Sequence, residues 1–172
     1  PAREIDGDVV LVGHSGAGPL LPLIAAELAR PHTRLVFVDA ALPPARGDMA
    51  LIPDDFADHL RGLAHDGVLP PWSEWFGPDT IAALIPDDER RRDVVADLSE
   101  IPLAYFDARL TLPEGWCQAA TGAYILLSEV YRADASDAAS RGWPTIEMIG
   151  GHMDLVTRPT AVADAIRALA LE

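Results

Sequence analysis

The chain has 172 residues, 49% hydrophobic and 23% charged, which fits one globular domain with a core and excludes a disordered segment. Its formal net charge of −14 argues against nucleic acid and anionic membrane surfaces as partners, because both demand basic patches. The single cysteine, Cys117, leaves no internal disulfide and no cysteine-cluster zinc site.

The first predicted element, DVVLVG between Asp8 and Gly13, is a continuous β-branched and leucine run, the pattern of a strand buried on both faces of a parallel sheet. A glycine-rich turn follows, and LLPLIAAELAR (20–30) then predicts a helix. Pro22 fits that helix only if it starts late, because an interior proline loses a hydrogen bond and clashes. After a turn at Pro31 and His32, RLVFVDA (34–40) predicts a second buried strand, which completes a right-handed βαβ unit. Residues 43–122 change character: proline, acidic pairs and tryptophan dominate, without strong strand runs. Within them PDDFADHLRGLAHDG (53–67) predicts a helix with Phe56, Leu60 and Leu63 on one stripe. PDTIAALIP (78–86) and DDERRRDVVADLSEIP (87–102) predict two more, each ended by a proline. This stretch reads as a helical insertion between strands. AYILLS (123–128) resumes the buried-strand pattern, and YRADASDAASRG (131–142) predicts a helix capped at Gly142. PTIEMIGG (144–151) is a final strand, and RPTAVADAIRALALE (158–172) a closing helix with Val162, Ile166 and Leu169 on its apolar face. The expected architecture is α/β, a mostly parallel sheet flanked by helices: core segments at 1–42 and 123–172, and a cap at 43–122.

The turn GHSGAG supports two chemistries. In the first, Ser15 is a nucleophile on a strained strand–turn–helix elbow, since Gly13, His14, Ser15, Gly16 and Ala17 match G-x-S-x-small. The Gly16 N–H then faces a developing oxyanion, at the N-terminal end of a helix. In the second, Gly13, Gly16 and Gly18 cradle a dinucleotide such as NAD(P), with Asp39 about 20 residues on as the ribose-binding acid of an oxidoreductase. Against the second, the spacing is G-x-x-G-x-G, and Pro19 has no N–H to offer a pyrophosphate.

A distant motif separates the two. MIGGHMDLVTRP (148–159) puts His152 on a Gly-Gly loop between the last strand and the last helix. Serine chemistry needs a base there, at the carboxyl ends of the strands, and a dinucleotide site does not. With VVLVGHSGAG, LVFVDAALP, AYILLSEVYR and GGHMDLVTRP together, the chain resembles the α/β-hydrolase family from the nucleophile strand onward. The resemblance implies a serine–histidine–acid hydrolase that acts on a small-molecule substrate under a cap and needs no cofactor or metal. It places the acid after AYILLS, where Glu129 stands; Asp39, after the earlier strand, is at a position some members use instead. Asp134 lies further on, and Asp154 is too close to His152 in sequence to orient its ring. The family scaffold also hosts lyases, cyclases and non-catalytic binding modules.

Other residues invite lesser roles. Trp72 and Trp75 in PPWSEWFG are either cap packing or an aromatic wall over the substrate. His14 packs under the turn. His59 and His65 are badly spaced to share a metal and read as solvated. DDERRRD (87–93) reads as a solvated mixed-charge face. No signal-peptide pattern and no membrane-spanning run occur, so a cytoplasmic location is expected. Only fourteen residues precede Ser15. The apolar edge between Asp8 and Gly13 is therefore expected to be covered by a preceding segment or another chain. No second oxyanion donor is identifiable, so these 172 residues alone are expected to turn over weakly.

Overall fold

Parallel pairing of buried strands organises the molecule. A computed structural model of the chain describes residues 7–30, 32–148 and 150–170. Residues 1–6 of the predicted core, Pro31 in the predicted turn, Ile149 in the predicted final strand and the last two residues of the predicted closing helix lie outside the described residues.

The strands are β1 (Val10–Ser15), β2 (Arg34–Ala40), β3 (Asp48–Ala50), β4 (Val68–Leu69), β5 (Ile101–Pro102), β6 (Arg109–Thr111), β7 (Thr121–Leu126) and β8 (Thr145–Glu147). The helices are α1 (Leu21–Leu28), α2 (Asp54–Leu63), α3 (Pro78–Leu84), α4 (Asp88–Asp97), α5 (Trp116–Ala119), α6 (Arg132–Ser140), α7 (Asp154–Thr157) and α8 (Pro159–Ala170). The main sheet has four strands in the order β1-β2-β7-β8, all parallel. Helix α1 starts late enough to put Pro22 in its first turn, where the missing N–H breaks no intrahelical bond.

Side-chain alternation divides the core in two. Leu35 and Phe37 of β2, with Tyr124 and Leu126 of β7, face α1, α5 and α6 through Leu21, Trp116, Ala135 and Ala138. Val36 and Val38, with Ala123, Ile125 and Leu127, face α8 through Val162 and Leu169. At the β1 edge this second layer runs out. Leu11 packs into the first cluster, but Val10 and Val12, on the other side of the strand, are 37% and 43% exposed.

The segment between β2 and β7 has its own apolar cluster, built on Leu60, Leu69 and Trp75 with Phe56, Leu63 and Phe106 around them. It is not purely helical, as the sequence suggested. Two antiparallel ribbons cross-link it, β3 with β6 towards its ends and β4 with β5 further in. Strands of two or three residues are too short for a period-2 pattern to show. Leu112 and Trp116, late in the segment, join the sheet's first cluster, and Trp116 Nε1 donates to the Pro44 carbonyl at 3.0 Å. The charged helix α4 is not merely solvated either. Arg90 Nη1 donates to the carbonyls of Val156 (2.9 Å) and Thr157 (3.1 Å), fastening α4 to α7, the short helix that follows His152.

Candidate active site

Ser15 ends β1 with a φ of 55°, a left-handed conformation that a non-glycine residue holds only under constraint. The turn is closed by the Ala17 N–H on the His14 carbonyl (3.0 Å). Gly18 has no room for a side chain: a Cβ there would run into the Ala41 carbonyl oxygen and the Ala40 methyl. The elbow therefore lies directly against the exit of β2.

That exit is itself irregular. His14 pairs with Val38 and Ser15 with Ala40, so Asp39 is an extra residue on β2 at the level of the elbow, and its φ of 43° is also left-handed. Tyr124, inside the core, fixes the bulge. Its hydroxyl donates to the Ala40 carbonyl (2.6 Å) and accepts from the Ala40 N–H (3.1 Å). The bulge aims the Asp39 carboxylate at the end of β7. There Oδ1 accepts from the backbone N–H groups of Leu127 and Ser128, both at 2.8 Å, and Oδ2 accepts from the Ser128 hydroxyl at 2.6 Å.

His152 completes the arrangement from the loop after β8. Its Nδ1–H donates to Asp39 Oδ2 (2.7 Å), and its Nε2 accepts from Ser15 Oγ (3.1 Å). The Asp39 side chain is wholly buried and that of His152 is 17% exposed. Burial is the largest influence on Asp39 and pushes its carboxyl up. Hydrogen bonds from His152, Ser128 and Leu127 together outweigh it and hold the group below the ordinary aspartate value. Two more rings flank His152. His14 stacks on it with centroids 4.4 Å apart, and Tyr131 with centroids 5.5 Å apart. His14 Nε2–H donates to the His152 carbonyl (2.9 Å), and burial, then the neighbouring His152, push His14 below the ordinary histidine value. The Tyr131 hydroxyl lies 3.2 Å from Ser15 Oγ. Burial is the main reason that this hydroxyl is held above the ordinary tyrosine value, so it keeps its proton at neutral pH.

Ser15, His152 and Asp39 are thus brought together, and Glu129 is not. Glu129 follows β7 as expected but points outward, where both of its oxygens meet Arg132 (2.5 and 3.2 Å). Ser128, one residue earlier and two past the end of β7, is the one that reaches inward. Asp134 accepts from the Leu42 N–H at 2.7 Å, and Asp154 accepts from Gly151 N–H (3.0 Å) and Thr157 Oγ1 (2.6 Å), so both shape backbone near the site. Gly16 is exposed, and among the described residues nothing accepts a hydrogen bond from its backbone N–H. Trp75 does not form a wall over the site: it is 5% exposed, in the apolar cluster of the β2–β7 segment, with Nε1 donating to the Pro70 carbonyl. Trp72 packs edge-on against Phe76 at the margin of the same cluster. His59 is exposed, as expected, and it also donates to the Trp75 carbonyl (2.8 Å) and stacks on Phe56 and Phe76. Sequence reading missed Tyr131, Tyr124 and Ser128. The available signal was two tyrosines and a serine inside AYILLSEVYR, the segment that leaves the sheet beside His152.

Among the described residues no group of acidic, histidine or cysteine side chains could hold a metal, and no helix is long and apolar enough to cross a membrane.

No protein-family model matches the chain, and no curated protein matches its sequence. Solved structures do match. An extracellular α/β-hydrolase from a Paenibacillus species superposes with a TM-score of 0.70 at 17% identity, over 94% of this chain and 72% of that one. Polyneuridine aldehyde esterase gives 0.65 at 18% identity, over 98% and 75%. Tomato methylketone synthase I, complexed with 2-tridecanone, gives 0.67 at 13%, over 99% and 72%. The chain has the α/β-hydrolase fold.

Proposed function

We propose that this chain carries a serine hydrolase site that cleaves a small ester, thioester or lactone through an acyl-enzyme on Ser15. One observation carries the reading: the continuous hydrogen-bonded chain from Ser15 Oγ through His152 to buried Asp39. Asp39 fixes the His152 tautomer with Nδ1 protonated, which leaves the Nε2 lone pair for the serine proton. Ser15 Oγ then attacks the substrate carbonyl as His152 takes that proton. The imidazolium is stabilised by the carboxylate, and the Gly16 N–H faces the oxyanion. Collapse expels the leaving group with the proton from His152, and water repeats the cycle to free the acid. In this reading the β2–β7 segment is the cap over the substrate, the setting is cytoplasmic, and no cofactor takes part.

The same chain of bonds counts against a dinucleotide in the turn. The Asp39 carboxylate is taken up by four protein donors, and the side of Gly18 that lacks a Cβ lies against the Ala41 carbonyl, just past β2, and the Ala40 methyl.

A fluorophosphonate probe tests the proposal. It should label the wild-type protein at Ser15 and leave Ser15→Ala unlabelled, and hydrolysis of p-nitrophenyl acetate should follow the label. A folded wild-type protein that takes up no probe overturns the reading. So does unchanged hydrolysis by Ser15→Ala.

A further inference from the structure

Counting protons around Ser15 Oγ assigns a role to Tyr131. The serine hydroxyl has one proton. It goes to His152 Nε2, because Nδ1 of that ring already donates to Asp39. The second partner of Oγ, the Tyr131 hydroxyl at 3.2 Å, must therefore be a donor. We infer that Tyr131 is a further catalytic residue, which donates a hydrogen bond to Ser15 Oγ and stabilises negative charge on that oxygen. The inference rests on the proposed nucleophilic role of Ser15.

The charge on Oγ appears twice in the cycle. It builds as Oγ–H gives its proton to His152 and attacks. It builds again when the C–Oγ bond of the acyl-enzyme breaks, and Oγ takes the bonding electrons before His152 returns the proton. At both moments a donor fixed on Oγ lowers the barrier, since hydrogen bonds to a charged oxygen are roughly twice as strong as neutral ones. Tyr131 keeps its own proton throughout, so the balance of the reaction is unchanged. The placement is built, not incidental. Tyr131 ends a short 3-10 turn (Glu129–Tyr131) separated from β7 by two residues, and its ring lies near-parallel to His152 with 24° between the planes. The ring holds the base while the hydroxyl holds the nucleophile, so the two functions can be separated by substitution.

Tyr131→Phe keeps the ring and removes the hydroxyl. Two rates are read by intact mass: the labelling of Ser15 by a fluorophosphonate, and the decay of acetyl-Ser15 after a pulse of p-nitrophenyl acetate. The expected result is a fall of about ten-fold or more in both. A second variant places 3-fluorotyrosine at 131, a more acidic donor of nearly the same shape. Its rates should equal or exceed those of wild type, an order that a merely structural role would not produce. Wild-type rates in Tyr131→Phe overturn this inference alone, with the Ser15 proposal intact. Fluorotyrosine rates that fall to the Phe level overturn it as well. A wild-type protein that is not labelled at Ser15 overturns both.

Discussion

Asp39 and Glu129 show how one side chain's surroundings decide its work. Both are carboxylates at strand ends on the same edge of the sheet, but only Asp39 is buried with four donors. Asp39→Asn keeps the shape and hands His152 the wrong partner, so the ester-hydrolysis rate should fall by about 10,000-fold. Glu129→Gln loses only an exposed ion pair with Arg132, and its rate should match wild type. Parallel kinetics on one substrate check both; equal losses would contradict the assignment. Asp39 also links stability to pH. Its folded pKa lies below the unfolded value of about 4, so its stabilising contribution is complete above that pH and disappears as the pH falls through the folded value. The difference in urea midpoint between wild type and Asp39→Asn should therefore narrow below about pH 4. The proposed nucleophile and base were legible in the sequence because each sits in a local pattern, an elbow and a Gly-Gly loop. The acid was legible only as a choice between Glu129 and Asp39, because that choice depends on a bulge, and a bulge is a matter of register between strands that share no sequence signal.

Elements with strong periodicity or clear punctuation were legible in the same way. The four main strands were readable as apolar runs, and α2, α3, α4, α6 and α8 from their stripes, prolines and caps. What escaped was set by contacts across the chain: the two short ribbons and the one-turn helix α5. The seat of Trp143 makes a test of packing between elements. At Gly122, at the start of β7, a Cβ would fall on the ring carbons of Trp143. That ring also stacks on Phe37 (5.8 Å), meets Trp116 nearly edge-on (5.9 Å) and lies under Arg141 (5.4 Å). Confined on these sides, it has little room to yield. Gly122→Ala should cost about 1–3 kcal/mol, visible as a lower thermal midpoint. An unchanged midpoint would mean that the indole moves aside freely.

For the molecule as a whole, the unequal cover of the sheet matters most. One face is packed by α1, α5 and α6, and α8 on the other face stops short of β1. Among the described residues Val10 and Val12 are exposed and β1 pairs on one side only, a combination that favours pairing with another strand. Val12→Lys should reduce concentration-dependent association of this chain in light scattering without changing the Ser15 labelling rate. The register break between β1 and β2 has a different consequence, for the order in which the site comes into being. Ser15 and Asp39, the proposed nucleophile and acid, belong to one βαβ unit and can find their places as soon as that unit closes. The histidine must arrive from 113 residues beyond the acid, carried by the last strand-to-helix connection. Long loops close late, after local contacts have formed. Under the proposed function, reactivity at Ser15 is therefore a property of the docked C-terminal segment: the serine is strained and positioned within the βαβ unit, but it gains its base only when His152 arrives.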